Sequence, residues 1–156
     1  MAKFNLDKNN FLTPYEVIKC TEIEFQNFFI DHLLSLDNQR ELRWNEYCNF
    51  ISFIKKHRIK NGFRIWIYGS LVGNYKIPND VDVVLFLNQQ DYVEMERIGF
   101  NKYIQTFAKT IFNIHCDHVF PIPIDEESEL QLKDNFSSKQ ILVREGKPKG
   151  AIEIDY

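Results

Sequence analysis

Apolar residues recur along the chain in two rhythms, every third or fourth position in some segments and every second in others, and the exchange between rhythms predicts the element order. From Thr21, "TEIEFQNFFIDHLLSL" places Phe25, Phe28, Phe29, Ile30, Leu33 and Leu34 at helical spacing, which makes one wide apolar stripe. Thr21 with Glu24 three positions later has the spacing of a capping box, so a helix is predicted to start there. After a turn-like "LDNQ", a second helix is predicted over residues 40–62, with Leu42, Tyr47, Phe50, Ile51 and Ile54 on its stripe. Its basic last turn and Gly62 suit a C-terminus, through the helix dipole and a left-handed cap.

The rhythm then shortens. "FRIWIYG" alternates as a strand, and "VDVVLFLN" is apolar on both faces after Asp82, which predicts an inner strand. "DYVEMERIGFNKYIQTFAKTIF" reads as one helix weakened at Gly99. "NIHCDHVFPIPI" returns to strand and is stopped by Pro121 and Pro123. Residues 1–20 carry no period and contain Asn9, Asn10 and Pro14, so an extended lead-in is predicted. The tail holds "DEESELQLKDNF", an acidic linker or short helix. It ends in two short strands predicted to pair as a C-terminal β-hairpin around a Gly-Lys-Pro-Lys turn. This order predicts an α/β protein of α+β type, a single domain over residues 1–156: a mixed β-sheet with helices packed on it, two of them N-terminal.

Composition narrows the function. A hydrophobic share of 44% supports a real core, and 14 phenylalanines fill it without needing polar partners. The formal net charge of −3 argues against a coat that neutralises many phosphates, so long duplex DNA is not an expected partner. "KKHRIK", residues 55–60, is read first as the basic end of a helix. Cys20, Cys48 and Cys116 are scattered and outside any CxxC pattern, as reduced thiols in a cytoplasmic protein would be. No apolar run approaches ~18 residues and no signal-like segment opens the chain, so neither membrane insertion nor export is expected.

Candidate chemistry lies in "IWIYGSLVGNYKIPNDVDVVLFL". Asp80 and Asp82 stand two positions apart at the mouth of a strand, so both carboxylates can point to one side and repel. A divalent cation such as Mg²⁺, which binds through one or two carboxylates plus substrate phosphates, would offset that repulsion. A polar turn, "IPNDVD", is the plainer alternative. Gly69 and Ser70 end the preceding strand. There a glycine admits a phosphate close to the backbone, and the following amides with the Ser70 hydroxyl can donate to it. Asp117, inside a later apolar strand, offers a third carboxylate. Three acids could hold two metals ~3.5–4 Å apart, the arrangement for transferring a nucleotidyl group from a nucleoside triphosphate. "HCDH", His115 to His118, also invites zinc. Strand alternation sets His115 and Asp117 on one face and Cys116 and His118 on the other, which argues for packing roles for the latter two. Lys147 and Lys149 are read as solvated turn residues.

"YGS", the short spacer, "NDVDVVLF" and "CDHV" resemble the pattern of the nucleotidyltransferase fold of DNA polymerase β type, a hydrophobic-Gly-Ser, then Asp-x-Asp, then a third acid in a strand. "LTPYEVIKCTEIEFQNFF" and "GSLVGNYKIPNDVDVV" are also similar to a small bacterial family of uncharacterised nucleotidyltransferase-like proteins of about this length. The resemblance implies a minimal nucleotidyltransferase fold in which Gly69 and Ser70 hold the triphosphate and Asp80 and Asp82 bind Mg²⁺ or Mn²⁺. Asp117 would be the third ligand and help activate an acceptor hydroxyl on a protein, an RNA end or a small molecule. ATP is the expected donor. The same resemblance allows a different role, a catalytically weak nucleotide-binding or antitoxin-like partner in a two-component bacterial system. Cys116 and His118, flanking Asp117, depart from the apolar neighbours usual in that pattern.

Overall fold

The computed structural model describes residues 4–33, 38–57, 59–137, 143–144 and 147–156, with the backbone alone at 137, 143–144 and 147–148. Leu34, the first residues of the "LDNQ" turn, Arg58 and residues 139–142 and 145–146 of the predicted tail hairpin lie outside them. The lead-in is extended, as predicted, in three short strands: β1 (Asn5–Leu6), β2 (Leu12–Thr13) and β3 (Val17–Lys19). Phe4, Phe11 and Leu12 bury their side chains and tie this segment to the body.

Helix α1 (Glu22–Phe25) opens on the predicted capping box, both of its hydrogen bonds present, and runs on as π-helical turns over Gln26–His32. Helix α2 (Gln39–Lys56) is shorter than expected. Its basic last turn is there, but the chain leaves the helix at His57, and Gly62 (φ +80°) lies in the approach to the next strand instead of capping α2. Asp91 holds that approach by accepting from the amides of Lys60 (3.2 Å) and Asn61 (3.1 Å).

Strand β4 (Phe63–Tyr68) leads through a 3₁₀ turn (Gly69–Val72) and a loop to β5 (Val81–Leu87). The helix expected over residues 91–112 is divided at Gly99, whose φ of +75° separates α3 (Gln89–Arg97) from α4 (Phe100–Phe107). Helix α4 continues in π-helical form over Ala108–Phe112. Strand β6 (Ile114–Pro121) and helix α5 (Glu126–Ser137) follow, the latter where a linker or short helix was predicted.

The tail departs from the single predicted hairpin. Strands β7 (Val143–Arg144) and β8 (Lys147–Pro148) pair with each other, while β9 (Ala151–Asp155) enters the main sheet. Ala151, Ile152, Glu153 and Ile154 are all buried, so β9 needs a sheet neighbour on each side. The five-stranded order is β3-β9-β4-β5-β6, parallel at β3/β9 and β5/β6 and antiparallel between. The sheet is mixed and β5 is flanked on both sides, as its apolar run predicts.

One face carries the larger core, where Phe25, Phe29, Tyr47, Phe50, Ile54 and Ile104 of the helices meet Ile65, Ile67, Val83, Leu85 and Ile152. The other face carries a smaller cluster of Trp66, Tyr68, Val84, Phe86 and Ala151 around Phe136 of α5. Helix α2 also governs the loop after β4. Arg40, with no exposed surface, donates to the carbonyls of Phe29 (3.3 Å), Leu71 (2.8 Å) and Gly73. One turn on, Arg43 donates to the carbonyl of Asn79 and pairs with Glu46 at 3.1 Å. Both ends of the loop over residues 71–79 are thus fastened to one rigid helix.

Arg40→Met keeps most of the volume but removes the donors from buried carbonyls. We expect it to destabilise the protein by about 3 kcal/mol or more, the scale for breaking a buried charged contact. Urea unfolding of the two proteins measures the difference, and a loss below about 1 kcal/mol would show that the loop does not depend on this side chain.

Candidate functional site

At the end of β4 the backbone of Gly69 takes φ +77°, a conformation that L side chains rarely adopt. Space demands glycine as well. A Cβ there would overlap Oδ2 of Asp82 and stand 3.0 Å from its Cγ. Tyr68 and Asp82 are register partners across β4 and β5, so the antiparallel pairing itself sets the carboxylate against the turn. Ser70 is buried within that turn, at 2% exposure.

Asp117 lies on the same face, at an irregularity of β6. In the β5/β6 ladder Val83 faces Cys116 and Val84 faces His118, so Asp117 is the extra residue of a β-bulge. Cys116 and Val119 both enter the larger core. Between them Asp117 and His118 turn together to the opposite face, where His118 stacks on Phe120 at 5.3 Å. Simple alternation, which set His118 with Cys116 and away from Asp117, is therefore corrected by one inserted residue. His115, from the same strand, spans the site: Nδ1 lies 3.2 Å from Asp82 Oδ1 and Nε2 lies 3.1 Å from Asp117 Oδ1. Only a ring protonated on both nitrogens donates to both carboxylates.

Burial dominates the electrostatics of the site. Burial pushes the Asp82 carboxyl above its ordinary range and the charge of Asp80 adds to that, against the hydrogen bond and charge of His115 and the charge of Lys149. Burial raises Asp117 too, with His118 and Lys149 acting the other way. Asp80 pairs with Lys109 (Nζ to Oδ2, 2.7 Å), which stands in the π-helical turn after α4.

Lys149 was read from sequence as a solvated turn residue, and this is corrected. Its exposure is 6%, and its ammonium lies 5.6 Å from the centre of the Tyr68 ring. Lys109 and Lys149 had no signal beyond proximity to predicted strands. Arg40 and Arg43 were visible only as cations among helical apolar positions.

The chain thus brings Gly69, Asp80, Asp82 and Asp117 to one end of the sheet. Mg²⁺ or Mn²⁺ takes hard oxygens and binds through one or two carboxylates when substrate phosphates complete its shell, which these donors fit. They do not make a closed cage: among the described residues no group of three or more His, Cys, Asp and Glu is placed to hold a metal, and this covers "HCDH" as well. A cavity of about 390 Å³ at the far end of the sheet is lined by Lys19, Glu22, Glu24 and Tyr156. Its polar groups already serve one another, Lys19 with Asp155, Glu24 with Thr21 and Tyr156 with Glu22.

Two outcomes follow from this geometry. Gly69→Ala should cost roughly 1–2 kcal/mol for its backbone conformation alone, and more while Asp82 occupies the Cβ position. In an Asp82→Ala background only the first part should remain, so a double-mutant cycle read by urea unfolding should be non-additive; strict additivity would remove the steric account. Asp82 and Asp117 hold protons more tightly folded than unfolded. Their ionisation therefore costs stability as pH rises through the carboxylate range, fully so above the folded values and not at all below the unfolded ones. Asp82→Asn should thus be more stable than wild type at neutral pH, and the gap should close as melts are repeated into the acid range. A gap that is absent at neutral pH or widens in acid would contradict it.

No curated protein and no solved structure matches the chain. One family profile matches residues 4–155, nearly its whole length, and the protein belongs to that family, a family of unknown function (DUF6932).

Proposed function

We propose that this protein is a metal-dependent nucleotidyltransferase that moves a nucleoside monophosphate from a triphosphate, ATP first among the candidates, to a hydroxyl of a protein, RNA end or small molecule. One observation carries the reading: a glycine turn, the carboxylate of Asp82 laid against it, and a bulged Asp117 joined to Asp82 through His115 share one sheet face. The order in sequence and the ladder β4-β5-β6 support the likeness to the polymerase β type, with Asp80 beside the pair.

Bound Mg²⁺ or Mn²⁺ would neutralise the triphosphate and acidify the acceptor hydroxyl. The chain's own residues do the rest. Amides of the Gly69 turn receive phosphate oxygens, and Asp82 sits where it can share a cation with them. The acceptor oxygen attacks the α-phosphorus, a new P–O bond forms, the α–β bridge breaks, and pyrophosphate leaves. Asp117, which burial makes readier to hold a proton, takes the one released by the hydroxyl.

A second reading has its own support. Lys109 pairs with Asp80 and the His115 ring bridges Asp82 and Asp117, so all three acids already have partners within the chain, which suits a nucleotide-binding partner protein with little turnover. Incubation with α-labelled triphosphates, Mg²⁺ or Mn²⁺ and cell extract separates the two. Label transferred to an acceptor supports the enzyme, binding without transfer supports the partner, and neither result sinks both. With transfer, Asp117→Asn should keep nucleotide binding and lose turnover. Metal and nucleotide together should raise wild-type stability by about 2.7 kcal/mol at a hundred times the dissociation constant, and that of Asp82→Asn far less.

A further inference from the structure

We infer that Lys149 and Tyr68 form an anion subsite that takes the β- and γ-phosphates of the donor and then the leaving pyrophosphate, an inference that rests on the nucleotidyltransferase reading. Tyr68 is 5% exposed, and its hydroxyl, buried, has no hydrogen-bond partner among the described residues. A buried phenol normally finds one. The ammonium of Lys149 lies over the same ring. A phosphate oxygen at that place would give the hydroxyl its acceptor and lie beside the positive charge of the ammonium.

The position is built and held. Tyr68 immediately precedes Gly69, so a ligand at its hydroxyl continues from the turn that would seat the α-phosphate. On the other side, the Gly150 amide donates to the Leu12 carbonyl at 3.0 Å, and a Cβ at Gly150 would stand 2.7 Å from the Pro14 carbonyl. The lead-in therefore fixes the backbone from which Lys149 extends. Lys109 pairs with Asp80, and the His115 ring lies between Asp82 and Asp117. Lys149 adds a further positive charge at their edge, where a polyphosphate bringing its own divalent ion would meet it.

Dissociation constants of ATP, AMP and inorganic tripolyphosphate, each with Mg²⁺, on wild type, Tyr68→Phe, Lys149→Met and Lys149→Arg test this. Loss of one donor to a charged oxygen should weaken ATP and tripolyphosphate by about tenfold or more in Tyr68→Phe and Lys149→Met. AMP affinity should be unchanged, and Lys149→Arg should stay near wild type. Tyr68→Phe keeps the ring and hence the packing, so it decides the matter even if Lys149→Met fails to fold. Equal weakening of ATP and AMP, or no weakening of either, overturns the subsite and leaves Lys149 as a neutraliser of Asp82 and Asp117. Wild type that binds tripolyphosphate but neither nucleotide keeps the anion subsite and removes the nucleotidyltransferase reading. Wild type that binds none removes both.

Discussion

A guanidinium with no exposed surface must be met by acceptors, and Arg40 finds them in three carbonyls from two distant stretches of chain. That one side chain makes the end of the first helical segment, the turn after β4 and the loop beyond it a single body. Arg43 repeats the arrangement at Asn79, just before Asp80. The consequence is positional. A loop of this length would ordinarily sample many paths between β4 and β5, but here its carbonyls are fixed to a helix packed on the larger core. Asp80 therefore enters at a set place, and Gly69 keeps its left-handed backbone because the residues after it cannot relax.

The second constraint is the bulge in β6. A regular strand would hide either Asp117 or His118 in the larger core, beside Cys116 or Val119. Alternation alone sets Asp117 with His115 on the Asp82 face, where that ring reaches two carboxylates, and the extra residue turns His118 outward as well while Val119 returns to the core. Bulges bend strands and re-aim side chains at the rims of sites. This one costs a ladder contact and gathers charge at the mouth of the sheet.

Much of this was legible in the chain. The capping box at Thr21 and the inner strand after Asp82 follow from local chemistry and are found where they were read. Gly99 was seen as a weakness but breaks the helix outright, since its left-handed backbone lets α3 and α4 pack separately. What stayed hidden depends on distant partners. Nothing local tells that "AIEID" joins β4 and β3 and not its neighbour in sequence, or that Lys149 is carried inward with it. The bulge was equally invisible, because its signal is the mismatch between two strands and either strand alone is regular.

These features together hold the three acids at one end of the sheet. Repelling carboxylates normally move apart, at the small cost of a rotamer or a shifted loop. Here Asp82 is held by antiparallel register and by the turn beneath it, Asp117 by the bulge, and Asp80 by a loop fastened through Arg40 and Arg43. Relaxation is closed, so Asp82 and Asp117 keep the raised proton affinity that burial gives them, with the charge of Asp80 adding to it at Asp82 and that of Lys149 acting the other way at both. Donors fixed in this way need no rearrangement to meet a ligand, which is what a preorganised site requires.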